Sequence, residues 1–223
     1  MPPKKRNYRK RRPRRRRNNP RSLAPTATLP LGKTFKFNTR YFDRGFALNA
    51  GVTLAASHVF RANDLFDPDY TGIGHQPIGF DQMMQMYRNY TVIGSKITVT
   101  FRNSDATNPQ MVGIMLKDSP GTLTDVRQIV ENGNVTHALC NPAGDDNSQR
   151  TLTYKCSPAK FLGRPNILSE DELRGTASTS APVGAYYHVW SYAPNGADPG
   201  NLDFHVQIEY TAVLTEPVKL TLS

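Results

Sequence analysis

Residues 91–102, TVIGSKITVTFR, decide the fold of this chain because their apolar and polar side chains alternate with a period of two. Ile97, Val99 and Phe101 fall on one side of the predicted strand, and Lys96 and Arg102 fall on the other. Successive side chains of a β-strand point to opposite faces of a sheet, so this pattern is typical of a strand with one buried face. The stretch therefore predicts a sheet that covers a core on one side and meets solvent on the other.

Seven more stretches predict strands. In residues 203–214 apolar side chains alternate with polar ones, and in residues 34–41 Phe35, Phe37 and Tyr41 oppose Lys36 and Arg40. Gly, Pro, Asn and Asp residues interrupt the pattern between these stretches, as they do at turns. The five weaker candidates are 51–61, 110–117, 134–140, 150–156 and 184–192.

Eight strands joined by alternately short and very long connections favour one architecture. The long connections are 62–90, 118–133 and 157–183. We predict an all-β fold, an eight-stranded single jelly roll of two four-stranded antiparallel sheets, rather than a meander or a propeller. Short helices are expected within the connections, at 80–88, where Asp81 favours the N-terminal end, and at 125–130, capped by Thr122 or Thr124.

Two stretches are apolar in both phases of the strand period. Residues 111–116 predict a strand that is central in its sheet or covered by another element. Residues 186–190, which include Trp190, fit an interface as well as a core. Cys140 and Cys156 are too few for a disulfide scaffold. They predict two buried thiols in a reducing compartment, with a bridge between neighbouring strands as the alternative.

The basic residues are concentrated at the N-terminus. The first 21 residues carry twelve of the 28 Lys and Arg residues and no acidic residue, and the remaining chain holds the other 16 against all 18 acids, a net charge of −2 with histidine neutral. We predict that residues 1–31 form a basic, disordered arm and that residues 32–223 form the jelly-roll domain. The candidate nucleic-acid-binding residues are Lys4, Lys5, Arg6, Arg9, Lys10, Arg11, Arg12, Arg14, Arg15, Arg16, Arg17 and Arg21.

This arm predicts electrostatic binding of a polyanion. Each guanidinium group can bind two oxygens of one phosphate. Each phosphate that is neutralised releases counterions, so binding should depend on salt and not on the base sequence. The same run has the composition of a nuclear-import signal. A lipid surface is the competing ligand, but stable anchoring needs a second signal, and Pro2 occupies the position where myristoylation requires glycine. No run of 18 apolar residues is present, so we expect no membrane anchor.

The sequence offers no catalytic or metal-binding motif. No two of the five histidines lie two, three or four residues apart, unlike the paired ligands of jelly-roll metalloenzymes. Residues 67–72 resemble the start of a calcium loop, but position twelve is Ile78, so a solvated turn is preferred to a cation site between subunits. The acidic clusters 145–146 and 170–172 are expected on exposed loops. We therefore expect no enzyme activity, no cofactor and no metal.

Two stretches resemble the capsid proteins of circular single-stranded DNA viruses that encode a replication initiator, the circovirus-like group. One is the arm, residues 1–21, and the other is residues 80–101, FDQMMQMYRNYTVIGSKITVTF, which is similar to the tyrosine-containing helix and basic strand of that family. Phe37-Asn-Thr-Arg40 and the strand near 203–214 agree in placement. Small RNA viruses with jelly-roll coats share this layout, so DNA and RNA genomes both stay open.

The resemblance implies a structural protein. The expected partners are a viral single-stranded DNA genome, about 60 copies of the same chain in an icosahedral shell, and host nuclear-import receptors. The expected locations are the virion and, during assembly, the host nucleus. Lys33, Lys36, Arg40 and Arg44 would extend a basic inner surface, and Tyr70, Phe80, Tyr186 and Trp190 would be buried between subunits. The rival class is a cellular module that binds nucleic acid without assembling.

Overall fold

Nine strands form the body of the protein in the computed structural model, which describes residues 31–219. The strands are β1 (Thr34–Asn49), β2 (Ala56–Arg61), β3 (Tyr87–Asn103), β4 (Gln110–Lys117), β5 (Val135–Cys140), β6 (Gln149–Cys156), β7 (Gly175–Thr176), β8 (Tyr186–Tyr192) and β9 (Asn201–Pro217). Short helices occupy the connections: α1 (Phe80–Met84), α2 (Val126–Glu131) and α3 (Pro158–Phe161), with 3-10 turns at Ile167–Ser169 and Asp171–Leu173.

The strands pair into two antiparallel sheets. The first sheet has the order β1-β9-β3-β6, with β7 paired to the start of β3, and the second has the order β2-β8-β4-β5. Neighbouring strands in each sheet are mostly distant in sequence, as two-sheet Greek-key connections require. The chain therefore has the predicted all-β jelly-roll fold. The proposed boundary between an arm and a body, at residues 31 and 32, stays a prediction because residues 1–30 lie outside the described part.

The main core lies between the sheets and contains the apolar faces that the alternation predicted. Ile97, Val99 and Phe101 of β3 are fully buried. Five buried tyrosines lie in the same core, which are Tyr41, Tyr87, Tyr90, Tyr187 and Tyr210, and the Tyr87 hydroxyl donates to the Gly32 carbonyl (3.1 Å). A buried hydroxyl needs a hydrogen-bond partner. Tyr210 donates to the Arg61 carbonyl (2.6 Å), Tyr187 bonds Ser95 (2.9 Å), Tyr41 donates to Asp43 (3.0 Å) and Tyr90 donates to Asp64.

Residues 118–133, in the connection between β4 and β5, lie over the solvent side of the second sheet, and we call this segment the cover. Leu123 and Ile129 of this connection pack on Met115 and Trp190 in a second buried cluster. This cover explains why β4 and β8 are apolar in both phases, and β4 is also central in its sheet. Phe80, which the resemblance placed between subunits, is instead buried within the single chain, with 1% of its surface exposed. Trp190, for which core and interface were both open, belongs to the core and is 0% exposed.

Several predicted boundaries were wrong. Strand β1 continues eight residues past its predicted end because a bulge between Asp43 and Phe46 lets it stay paired with β9. Strand β2 begins at Ala56 rather than at residue 51, since Ala55 donates its N–H to Thr124 of the cover (3.0 Å). The two-residue strand β7, inside the long connection 157–183, is too short to leave a pattern in the sequence.

Both predicted helices exist, but their ends differ from the prediction. Helix α1 ends at Met84 and not at residue 88, because Tyr87 already pairs with Pro217 in the first sheet. Asp81 lies in its first turn, as predicted. Helix α2 is capped by Asp125, whose side chain accepts the Arg127 N–H (2.9 Å), and not by Thr122 or Thr124.

Cys140 and Cys156 are buried free thiols, as predicted. Burial raises the pKa of Cys140 to about 11 and that of Cys156 to about 12. A thiol with so high a pKa carries almost no thiolate at neutral pH, so both are unreactive packing residues.

The buried His188 predicts a loss of stability on acidification. Its Nε2 bonds the Ser119 carbonyl (2.8 Å), and its Nδ1 has no partner among residues 31–219. Burial lowers the pKa of His188 from 6.5, with nearby Lys117 acting in the same direction. The unfolded chain therefore binds a proton more readily, and the stability contributed by neutral His188 decreases as pH falls below about 6.5 towards the folded pKa.

Urea unfolding at pH 7.5 and pH 5.5 checks this prediction. His188→Gln, which keeps a donor for the Ser119 carbonyl but does not titrate, should lose less stability than the wild type over this interval. The comparison between the two proteins removes the contribution of His75, whose pKa is raised by its bonds to the Gln76 and Phe42 carbonyls and which acts in the opposite direction. Equal losses in both proteins would contradict the prediction.

Candidate nucleic-acid interface

The solvent side of the first sheet is a polar surface. No other part of residues 31–219 packs over it, whereas the connection between β4 and β5 packs over the second sheet. Four strands contribute to it, because every second residue points away from the core. We call this surface the outer face. Its residues are Lys36, Asn38, Arg40 and Phe42 of β1; Asp203, His205, Gln207, Glu209 and Thr211 of β9; Lys96, Thr98, Thr100 and Arg102 of β3; and Gln149, Thr151, Thr153 and Lys155 of β6.

The outer face has a surplus of positive charge. It carries five Lys and Arg side chains against the two acids Asp203 and Glu209. Glu209 lies between two of these cations, at 2.7 Å from Lys96 Nζ and 3.1 Å from Arg40. The hydrogen bond from Lys96 and the charges of both cations lower the pKa of Glu209. Exposed ion pairs of this kind contribute little to stability. Their effect here is to keep Glu209 ionised and its charge compensated.

The centre of the outer face consists of paired threonines. Thr98 and Thr153 face each other across β3 and β6 with 3.3 Å between their hydroxyls, and Thr100 and Thr151 lie 3.0 Å apart. Cross-strand threonine pairs are small, uncharged and able to donate or accept hydrogen bonds. They make this part of the surface accessible to an extended polar chain.

The four cations that the sequence proposed as a basic surface are all exposed. Lys36 and Arg40 lie on the outer face, Lys33 precedes β1, and Arg44 lies in the β1 bulge. The twelve arm residues, which are Lys4, Lys5, Arg6, Arg9, Lys10, Arg11, Arg12, Arg14, Arg15, Arg16, Arg17 and Arg21, lie outside the described residues. Their role in binding stays a prediction.

The basic surface proposed from the sequence left out three cations of the outer face: Lys96, Arg102 and Lys155. The alternation of residues 91–102 had placed Lys96 and Arg102 on the solvent side of β3. It could not show that β6 would bring Lys155 directly opposite Lys96, or that β9 would lie between β1 and β3. The missing information was the pairing of strands, which depends on contacts distant in sequence.

The turn at residues 67–72 is solvated only in part: Tyr70, Thr71 and Gly72 are exposed, as the sequence predicted, but Asp69 is not. Asp69 is fully buried and accepts hydrogen bonds from Thr71 and from the ring of His58 (3.0 Å). Burial raises the pKa of Asp69, but the bonds to His58 and Thr71 together outweigh it, so the pKa lies below its usual value. Among residues 31–219, no group of three or more His, Cys, Asp and Glu side chains is placed to hold a metal ion.

Arg164 and Arg174 pair with the acidic segment 170–172. Arg164 contacts Glu170 (3.2 Å) and Glu172 (3.1 Å), and Arg174 contacts Asp171 (2.8 Å). These acids lie at or near the surface, as predicted, and the pairs fold the connection back on itself. In the described part of the chain, no helix has both the length and the apolar character needed to cross a membrane.

Comparisons with known proteins give a match in structure but not in sequence. No family model matches the chain, and no curated protein sequence does. A chain in the structure of Cocksfoot mottle virus is 16% identical and superposes with a TM-score of 0.51, over 83% of this chain and 96% of that one. A chain of Desmodium yellow mottle tymovirus is 16% identical, with a TM-score of 0.46 over 92% of this chain and all of that one. A chain of tobacco necrosis virus is 12% identical, with a TM-score of 0.48 over 85% of each chain. At such identities the likeness concerns the fold, and this chain shares the jelly-roll fold of the Cocksfoot mottle virus chain.

Proposed function

We propose that this chain is the coat subunit of a small icosahedral virus and that it packages a single-stranded genome by electrostatic attraction. The observation that carries the proposal is a jelly-roll body preceded in the sequence by twelve cations without an acid. The similarity of this body to a chain in the structure of a virus supports the same function. In this proposal the protein is structural: it is not an enzyme, needs no cofactor and has no membrane anchor.

The charges suit a packaging role. A body with a net charge of −2 would not strongly repel its own copies, while the cations of the arm would neutralise phosphates. About 60 copies would bring together about 700 arm charges, enough to neutralise several hundred phosphates. The outer face would add a weaker, sequence-blind surface for the same polyanion.

Exposed apolar side chains supply candidate contacts between copies. Ile73 and Ile78 are 82% and 81% exposed in the connection between β2 and β3. Leu54 and Leu168 are 56% and 43% exposed in other connections. Large apolar groups at loop surfaces are typical of sites that become buried on association. We propose that these connections form the subunit interfaces, since Phe80 and Trp190 are already buried within the chain.

Single-stranded DNA is the genome that we propose, because the arm and residues 80–101 resemble the circovirus-like capsid proteins. The virion would be the final location. The host nucleus would be the site of assembly, reached when import receptors bind the same arm. A single-stranded RNA genome is the alternative, which the same fold and the same charges would serve equally well.

Negative-stain microscopy of the purified full-length chain at low and high salt tests the proposal. Closed particles of uniform size are expected, and digestion of their extracted contents with DNase or RNase identifies the genome type. A chain that stays monomeric at low salt with single-stranded DNA or RNA present would overturn the coat assignment. That result would favour the module that binds nucleic acid without assembling.

A further inference from the structure

A cavity opens at one end of the outer face, where β1 bulges. Its volume is about 370 Å³, within the range of small-ligand sites, and its lining includes Arg44, Arg102 and His205. The bulge creates the cavity wall. Gly45 adopts a positive φ of 84°, which favours glycine, and Phe46 then turns inward to stack on Phe204 at 5.1 Å. Arg44 is left exposed at the cavity.

The two arginines at this cavity are free to bind an anion. Neither Arg44 nor Arg102 forms an ion pair with any of residues 31–219. Asp43, the acid next to Arg44, already accepts the Arg44 backbone N–H (2.7 Å) and the Tyr41 hydroxyl (3.0 Å). Both of its carboxylate oxygens are therefore engaged, and Asp43 forms no ion pair with the Arg44 guanidinium.

One acid also lines the cavity. Asp203 accepts a hydrogen bond from Ser104 (3.1 Å), and it lies opposite Arg102 in the strand register. Two guanidinium groups and one carboxylate leave a net charge of +1, with histidine taken as neutral. The cavity therefore favours a single anionic group such as one phosphate, because guanidinium binds phosphate oxygens in a bidentate geometry.

An aromatic pair adjoins the arginines. Phe42 is 47% exposed on the otherwise polar outer face, and its ring centroid lies 6.0 Å from that of His205, which also lines the cavity. Exposed aromatic rings beside cations are the combination that single-stranded nucleic-acid sites use, since every base can stack on a ring. The Phe42 ring has no core role that would explain its position.

We propose that this cavity is a nucleotide subsite for single-stranded nucleic acid. Arg44 and Arg102 bind one phosphate, and the Phe42–His205 pair stacks the adjoining base. The subsite deepens the proposed packaging function and rests on it. It differs from the arm because it holds one nucleotide at a fixed position on the body and uses stacking in addition to charge.

Binding of a fluorescent single-stranded oligonucleotide to full-length protein, measured across a salt series, tests the subsite. Phe42→Ala should weaken binding by about 5- to 150-fold with no change in the salt slope, because it removes stacking. Phe42→Tyr should restore most of the affinity. Arg44→Ala with Arg102→Ala should lower the salt slope by about 0.7, since the two arginines share one phosphate and each lost phosphate contact to a single strand removes about 0.7.

Lys36→Ala is the matched control, because Lys36 is an exposed cation of the same strand that does not line the cavity. It should leave the effect of Phe42→Ala unchanged, whereas loss of both arginines should reduce that effect, because the bound phosphate then no longer holds the base against the ring. Ultraviolet crosslinking of the bound oligonucleotide, mapped by mass spectrometry, should find adducts at Phe42 or His205. Wild-type affinity for Phe42→Ala, or adducts only in the arm, would overturn the subsite even if particles form. If no particles form but Phe42→Ala and the arginine substitutions still weaken binding as expected, only the coat function would be overturned.

Discussion

Replacing Trp190 by alanine should lower the free energy of unfolding by about 3–5 kcal/mol, because it removes the largest side chain beneath the cover. Trp190 is fully buried and packs against Met115, Leu123 and Ile129. The site is tightly filled: a Cβ atom added at Gly113 would lie 2.5 Å from the indole ring. On the sheet side of Trp190 the backbone belongs to the two central strands β4 and β8, so this wall of the cavity left by the substitution would not readily collapse.

Urea unfolding of the full-length chain, followed by circular dichroism, measures this effect. Val130→Ala is the matched control. Val130 is 37% exposed beside the buried Ile129 in α2, and its truncation should change stability far less. Trp190→Phe should fall between the two, because it keeps an aromatic ring and removes an indole N–H that finds no acceptor among residues 31–219. A loss below about 1 kcal/mol for Trp190→Ala would mean that the cover does not depend on this side chain.

The parts of the fold that sequence predicted are those set by local alternation. Ile97, Val99 and Phe101 form one buried row in β3, and the same period identifies β9. Strand β4 was predicted with its observed ends, Gln110–Lys117, because turn residues flank an apolar run. These strands were predictable since each carries its own burial pattern, whatever its partners are.

The features that sequence did not predict depend on contacts distant along the chain. The second half of β1 departs from strict alternation at Arg44 and Gly45, so only its pairing with β9 identifies it as strand. The double-sided burial of Trp190 requires the cover, which arrives from residues 118–133. Asp69 looked like a solvated turn residue, but its bond to His58 makes it part of the buried structure.

In the candidate site, too, features set by local sequence were predictable and features set by distant contacts were not. The sequence is sufficient to predict a polyanion-binding role for the arm, because twelve cations without an acid need no fold to act, and that role stays a prediction. The outer face and its cavity could not be predicted, since Arg44, Arg102 and His205 come from three strands. Their proximity is a consequence of register and of one bulge.

The arm should account for most of the affinity for nucleic acid, and its contribution should depend steeply on salt. Binding to a single strand through six to ten phosphate contacts, at about 0.7 per contact, weakens by about 300- to 16,000-fold between 50 and 200 mM salt. Replacing Arg14, Arg15, Arg16 and Arg17 by alanine in the full-length chain should lower the slope of log K against log salt by about 3 for a single strand. The measurement is a titration with a labelled single-stranded oligonucleotide at several salt concentrations.

Replacing the same four residues by lysine separates charge from geometry. Lysine keeps the charge, so the salt slope should stay at its wild-type value, while the affinity falls because an ammonium group cannot bind phosphate in the bidentate manner of guanidinium. If the alanine variant instead keeps the wild-type slope, the phosphate contacts must come from elsewhere in the chain. The outer face, with five cations against two acids, would then be the principal binding surface. In the proposed scheme the arm and the outer face therefore control different quantities: the arm would set the number of phosphates neutralised, and the cavity on the outer face would add a stacking interaction that salt does not weaken.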